Sequence, residues 1–266
     1  MGKYVNYREG KIHFYDEGEG AAIVLIHGYL ESAEIWESFA GRLAKSYRII
    51  SVDLPGHGLS DIYSDLNSME FMAAAILELL DILGLQKVFL AGHSLGGYVA
   101  LAFLELYPEM LSGYCLFHSH PFADTGEAIK KRDREIRIVE SGKKELMYPD
   151  NVTRMFAEKN LEKFPEALVR SREIASRIPG QGIISVLRGM IARPSRLSVM
   201  EEGRVPCLWI LGSMDNYIPA DAIQQKVHLP ANARVVVLEH SGHLGFIEEE
   251  ELAAEVVAQF VEKLKS

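Results

Sequence analysis

A serine flanked by glycines, Gly92-His93-Ser94-Leu95-Gly96, stands directly after an apolar run and directly before a helix-periodic one. Lys87 to Ala91 reads as a short buried strand, and Leu95 to Tyr107 as a helix with Leu95, Val99, Leu101, Ala102 and Leu106 on its apolar side. A turn that tight drives the serine toward unfavourable backbone angles, and glycine neighbours keep other side chains clear of it. The hydroxyl then stands exposed above a sheet edge. It remains a poor nucleophile at neutral pH without a base to take its proton and an acid to orient that base. Asp215, in Leu211-Gly212-Ser213-Met214-Asp215, and His243, in Glu239-His240-Ser241-Gly242-His243, each follow a strand-like run. Carboxyl ends of parallel strands converge on one edge of an open α/β sheet, so Ser94, Asp215 and His243 are expected to meet there as nucleophile, acid and base.

Rival residues have plainer explanations. His27 and His57 sit beside glycines in loops, where hydrogen bonds that orient the loop suffice. His93 points away from the substrate side if Ser94 points toward it, and reads as a packing residue. His240 lacks the preceding glycine that His243 has. Asp53 is expected to fix the Gly-rich turn after it, and Asp124 to cap a helix.

The elements that must hold these residues alternate along the chain. An antiparallel pair, Lys3 to Tyr7 and Lys11 to Tyr15, opens it. Strand-like runs then follow at Ala21 to Ile26, Tyr47 to Val52, Lys87 to Ala91 and Gly113 to Phe117, separated by helices over about Ser32 to Ala44 and Ser68 to Leu83. Continuous apolar strands between helices predict a mostly parallel, twisted sheet covered on both faces. From His118 to Arg204 the alternation stops, and charged helical segments broken at Gly142, Pro149, Pro165, Pro179 and Pro194 predict three to five helices. Strand character returns at Val205 to Leu211 and Arg234 to Leu238, with helices from Pro219 and from about Ile247 to Leu264. The division is therefore a core of residues 1–117 and 205–266 with a helical insertion, 118–204. The acidic run Glu248 to Glu251 reads as the first turn of the last helix, favoured by its dipole.

Over nearly its whole length the chain resembles the α/β-hydrolase family. The resemblance rests on His27-Gly28-Tyr29 after the first long strand and Asp53-Leu54-Pro55-Gly56-His57-Gly58-Leu59-Ser60. Gly92-His93-Ser94-Leu95-Gly96-Gly97, Asp215 with Pro219 after it, and Gly242-His243 complete the series in family order. It implies an α/β-hydrolase fold with a helical cap, and an oxyanion hole made by the backbone N–H groups of Tyr29 and Leu95. Each such donor is typically worth about 10²- to 10³-fold in rate. Some relatives carry the acid after the strand that here ends at Phe117, but this chain has His118 there. Where related epoxide hydrolases and haloalkane dehalogenases have proline it has Leu30, and its serine nucleophile argues against both activities.

The implied function is hydrolysis of a small ester or thioester through an acyl-serine intermediate, with no metal and no cofactor. Carbon–carbon bond hydrolysis, lyase or acyl-transfer chemistry by the same triad stays open, as does a receptor-like binding protein on the same scaffold. His118 and His120 are candidate substrate contacts where the insertion begins.

Composition bounds the rest. The chain has 266 residues and a net charge of -9, against the basic face of a nucleic-acid binder. It shows no apolar run of membrane-spanning length and no secretory leader, so a cytoplasmic location without a membrane partner is expected, with a small molecule as substrate. Cys115 and Cys207 lie in apolar runs without metal-ligand spacing and are expected to be buried thiols. Charge is split unevenly: residues 118–204 hold 17 Lys and Arg against 13 Asp and Glu, or +4, and the remainder 11 against 24, or -13. The insertion is therefore expected to offer cations to an anionic substrate, from among Arg132, Arg134, Arg137, Arg170, Arg172, Arg177, Arg188, Arg193 and Arg196.

Overall fold

The computed structural model describes residues 2–264. Its eight strands are β1 (Lys3–Tyr7), β2 (Gly10–Glu17), β3 (Ala22–Ile26), β4 (Arg48–Val52), β5 (Val88–His93), β6 (Leu111–Phe117), β7 (Cys207–Gly212) and β8 (Ala233–Leu238). They form one sheet in the order β1-β2-β4-β3-β5-β6-β7-β8. β1 and β2 form an antiparallel hairpin, β2 joins β4 antiparallel, and every other pairing is parallel.

The period of two along β3 explains the two covered faces. Val24 and Ile26 pack with Leu90 against Met72 and Ile76 of α2 (Met69–Ile82) and Val99 and Phe103 of α3 (Leu95–Leu106), below the first face. Ile23 and Leu25 pack with Phe89 against Phe39 of α1 (Glu37–Leu43) and Val257 and Phe260 of α11 (Glu250–Lys263) on the other. All four β3 side chains are fully buried, each burial stabilising by about 1.5–3 kcal/mol, so a polar residue at any of them would unseat one layer.

Register brings the strand ends level. Ile26 pairs with Val52 and Gly92, His93 with Phe117, Phe117 with Ile210, and Gly212 with Leu238. The loops that leave these ends share one edge and carry every motif singled out in the sequence. Between β6 and β7 the described chain has α4 (Gly126–Glu140), α5 (Tyr148–Thr153), α6 (Pro165–Arg177), α7 (Gly180–Ala192) and α8 (Leu197–Glu201), and no strand. α9 (Ala220–Gln224) and α10 (Gly245–Glu248) complete the chain.

Two helices differ from expectation. The first begins as a 3-10 turn, Ala33–Trp36, because Asp53 Oδ1 takes the Ala33 N–H at 2.6 Å and ties its start to the loop after β4. The last is broken at Glu249 into α10 and α11. Of the acidic run only Glu250 and Glu251 occupy the first turn of α11. Glu248 and Glu249 turn back to the loop after β8.

Candidate active site

Ser94 has φ 49° and ψ -109°, a conformation that costs an L-residue free energy and persists only when its surroundings hold it. Its N–H donates to Phe117 O at 3.0 Å, while its carbonyl accepts from Gly97 N–H at 3.0 Å and Ser119 Oγ at 2.7 Å. The glycines are required by backbone crowding: a Cβ on Gly92 would lie 2.1 Å from Gly96 O, and one on Gly96 2.3 Å from Ile26 O.

His243 Nδ1 lies 2.7 Å from Asp215 Oδ2 and donates to it, leaving Nε2 as the unprotonated nitrogen. Asp215 Oδ1 accepts the N–H groups of Tyr217 at 2.7 Å and Ile218 at 3.0 Å. Burial opposes charge on Asp215, yet His243 and hydrogen bonds from His118 and His243 outweigh it and hold the carboxyl far below its usual range. Ser94 and His243 face one cavity of about 290 Å³, with Asp215 behind His243.

Leu95 is the first residue of α3, so its N–H has no intrahelical acceptor, and the Tyr29 N–H has no partner among the described residues. Leu30 follows at φ 62°, a value proline cannot adopt, which accounts for the departure from the family pattern.

Beneath this loop Glu31 Oε2 accepts the Gly28 N–H at 2.5 Å and lies 2.9 Å from His93 Nδ1. The other ring nitrogen of His93, 2.9 Å from the His243 carbonyl oxygen, donates to it. His93 is thus more than packing, because it joins the oxyanion loop to the histidine loop through the residue before Ser94. Burial opposes charge on Glu31, but His93 and the Gly28 N–H leave its pKa lowered.

The two candidate substrate contacts separate. His120 lines the cavity, accepting the Phe122 N–H on Nδ1 and donating from Nε2 to Tyr98 Oη, each at 3.2 Å. Burial, with Arg193 nearby, pushes it down to about 3, so it is neutral. His118 does not reach the cavity. It is fully buried, accepts the Gly245 N–H on Nε2 at 3.1 Å and holds Nδ1 3.4 Å from Asp215 Oδ2. The parallel strand directs its side chain beneath the site, where it supports the acid instead of touching substrate. Burial pushes its pKa down to about 4.

Charges are rearranged relative to expectation as well. Asp124 is no helix cap, since Thr125 caps α4. It forms the cavity wall and binds Arg132 through Nε at 2.6 Å and Arg193 through Nη1 at 2.7 Å. Of the nine arginines proposed from sequence only Arg132 lines the cavity. Arg170, Arg177 and Arg196 instead tie the inserted helices to core carboxylates Glu37, Glu34 and Glu105. Lys131 and Arg154, which sequence reasoning missed, line the cavity. Helical periodicity marks a polar face without saying what faces it.

Two further residues were missed. Buried Glu248 accepts from Ala157 N–H and Asn160 Nδ2 at 2.8 Å each on Oε1, and from Gly242 N–H at 2.7 Å on Oε2. Glu249 accepts from His240 N–H at 2.8 Å and Ser241 Oγ at 2.7 Å. Together they grip the three residues before His243. Among the described residues the only group of three or more with metal-ligand atoms all within 4.8 Å of one another is His118, Asp215 and His243. The hydrogen bonds above already occupy Asp215 Oδ1 and His118 Nε2.

The family model for the alpha/beta hydrolase fold matches residues 21–135. A Bacillus subtilis protein named as a 2-succinyl-6-hydroxy-2,4-cyclohexadiene-1-carboxylate synthase is 30% identical over 260 residues, 92% of this chain and 93% of its own. The chain belongs to the α/β-hydrolase family. A pimeloyl-[acyl-carrier protein] methyl ester esterase of Nitrosomonas europaea is 27% identical over 89% of this chain and 94% of its own. Among solved structures, a thermophilic esterase from Thermogutta terrifontis superposes with a TM-score of 0.92 at 26% identity, covering 100% of both chains.

Proposed function

We propose that this α/β-hydrolase cleaves a small ester or thioester through an acyl-serine intermediate. Ser94 Oγ attacks the carbonyl carbon while His243 Nε2 takes its proton. Asp215 holds the imidazole by Nδ1 and stabilises the cation that forms. The Tyr29 and Leu95 N–H groups receive the developing oxyanion. His243 then protonates the departing alkoxide or thiolate, and next deprotonates a water that attacks the acyl carbon, returning Ser94 and a carboxylic acid. Residues 118–204 act as the cap over a core of 1–117 and 205–266.

The observation that carries this reading is the 2.7 Å His243–Asp215 hydrogen bond behind a cavity that His243 shares with Ser94, which is strained at φ 49°. A cavity of about 290 Å³ equals the space of roughly ten water molecules, which suits a small substrate. Among the described residues no helix is long and apolar enough to cross a membrane. Two buried free thiols, Cys115 and Cys207, favour a reducing compartment such as the cytoplasm.

The test is labelling by a fluorophosphonate together with turnover of a p-nitrophenyl ester and acyl-thioester panel, with products identified. Ser94 is expected to take the label, with Ser60 and the fully buried Ser119 as unlabelled controls. Asp215→Asn, which favours the wrong imidazole tautomer, should cut turnover by about 10⁴-fold. Labelling that survives Ser94→Ala would sink the assignment.

A further inference from the structure

The cavity that Ser94 lines also carries charged side chains, and among the described residues these do not all find close carboxylate or cation partners. Three cations, Lys131, Arg132 and Arg154, and two carboxylates, Asp124 and Glu135, line it. Arg132 is fixed by Nε and Nη2 on Asp124, at 2.6 and 3.2 Å, and the same carboxylate takes Arg193 Nη1 at 2.7 Å, so one anion serves two arginines. Arg193 is itself immobilised, its guanidinium 3.8 Å from the Tyr98 ring centroid.

Glu135 is similarly occupied. It accepts Tyr29 Oη and Asn151 Nδ2 at 3.1 Å each, and Lys131 Nζ reaches it only at 4.0 Å. Arg154 pairs with no carboxylate among the described residues and lies 5.9 Å from the Tyr217 ring, which Lys131 approaches at 5.0 Å. Arg132 and Arg154 both act on Lys131 as like charges, with burial as the first cause lowering its pKa and Glu135 and Asp150 acting the other way. In a chain of net charge -9, Lys131 and Arg154 are lining cations without a close carboxylate among the described residues.

We propose that Lys131 and Arg154, backed by the fixed Arg132, form a carboxylate subsite, and that the substrate is a small ester or thioester carrying a free carboxylate on the portion seated under α4 and α5. The inference rests on the proposed esterase reading and deepens it to a substrate class. A carboxylate offers two acceptor oxygens, one for each of these donor-only side chains. Tyr217, held by its hydroxyl on Asn151 O at 2.8 Å, brings both cations near one ring.

The experiment compares the mono-p-nitrophenyl ester of glutaric acid with neutral p-nitrophenyl hexanoate, a near isostere, in wild type, Lys131→Gln, Arg154→Gln and the double variant. Wild type should favour the hemiester in kcat/KM by at least about tenfold, the scale of one charge-assisted hydrogen bond. The double variant should bring that ratio near one, with the change carried by KM. A wild-type ratio of one or below, or a ratio the double variant leaves unmoved, overturns the subsite. The Lys131 side chain is 49% exposed and Arg154 is exposed, and fluorophosphonate labelling reports whether each variant keeps its fold. As a measurement free of variants, glutarate should slow wild-type Ser94 labelling more strongly than inorganic phosphate at equal concentration. Phosphate competing better, or neither competing, overturns the carboxylate assignment. Turnover of the neutral ester and labelling of Ser94 stand or fall independently of these results, so failure of the subsite is distinguishable from failure of the esterase reading.

Discussion

Glu248 carries the most exacting test of how the site is held. Its carboxylate receives three donors: Ala157 N–H and Asn160 Nδ2 on Oε1, and Gly242 N–H on Oε2. Burial raises its pKa, with Asn160 and the backbone donors of Ala157, Gly242 and Leu244 acting against the rise. Glu248→Ala leaves these donors buried without an acceptor, at about 1–3 kcal/mol each, so a loss of about 3–6 kcal/mol is expected after water recovers part. At a urea slope of about 3 kcal/mol per M, that lowers the unfolding midpoint by about 1–2 M. Glu248→Gln separates the two halves of the anchor. Its amide oxygen can keep Ala157 and Asn160, but its amide nitrogen must then face the Gly242 N–H, donor against donor. The expected loss is about 1–3 kcal/mol, concentrated next to His243. Denaturation would show a modest midpoint shift, while Ser94 phosphonylation at neutral pH should slow by at least about tenfold, because a misplacement near 1 Å of a reacting group can cost about 10²-fold. A Gln variant with wild-type midpoint and labelling rate would refute the claim that Glu248 positions His243 through Gly242. Equal effects of Gln and Ala on both measurements would refute the division between the two oxygens.

Leu30→Pro is expected to cut Ser94 labelling by at least about 10²-fold, since a φ of 62° cannot be met by a ring that holds φ near -65°, and the Tyr29 N–H is displaced. Leu30→Gly tolerates that φ and should keep most labelling while losing about 2–4 kcal/mol of stability from the emptied core position; equal labelling by the two variants would contradict the oxyanion role of this loop. Stability should also fall on acidification. His118, lowered from 6.5 to about 4, and His57 and His120, lowered to about 3, stay neutral in the fold while the unfolded chain takes up protons near 6.5. Asp215, Glu31 and Asp53 have folded pKa values below their unfolded ones and extend the loss below about pH 4. In each case the unfolded state binds more protons, so stability rises with pH through these windows and is lost as pH falls. A urea midpoint that stays constant between about pH 6.5 and pH 4 would show that the buried histidines are not held neutral.

Local pattern and elementary geometry were enough for the framework. Apolar runs alternating with helical ones predict a parallel sheet, and its parallel strands must deliver Ser94, Asp215 and His243 to one edge whatever the details of packing. Gly92 and Gly96 announce the tight turn because backbone crowding there admits no Cβ. Strand and helix ends shifted by one to three residues, as at β7, which starts at Cys207 instead of Val205, since apolar character continues past the last ladder hydrogen bond.

What tertiary structure alone decided is the identity of each partner. A glutamate in an acidic run, Glu248, and one in a loop, Glu31, look like solvated charge until segments far apart in sequence bring N–H groups and His93 to them. His118 and His120 are two residues apart, yet β6 and its exit loop send one beneath Asp215 and the other to the cavity wall. The excess of arginines between 118 and 204 was countable from sequence. Most of them face carboxylates of the core or of neighbouring helices, and among the described residues the cations that line the cavity without a carboxylate closer than 4.0 Å are Lys131 and Arg154. A side chain's type and period are local properties and can be read from the chain. Which opposite charge or donor it meets depends on long-range packing, and no local pattern contains that information.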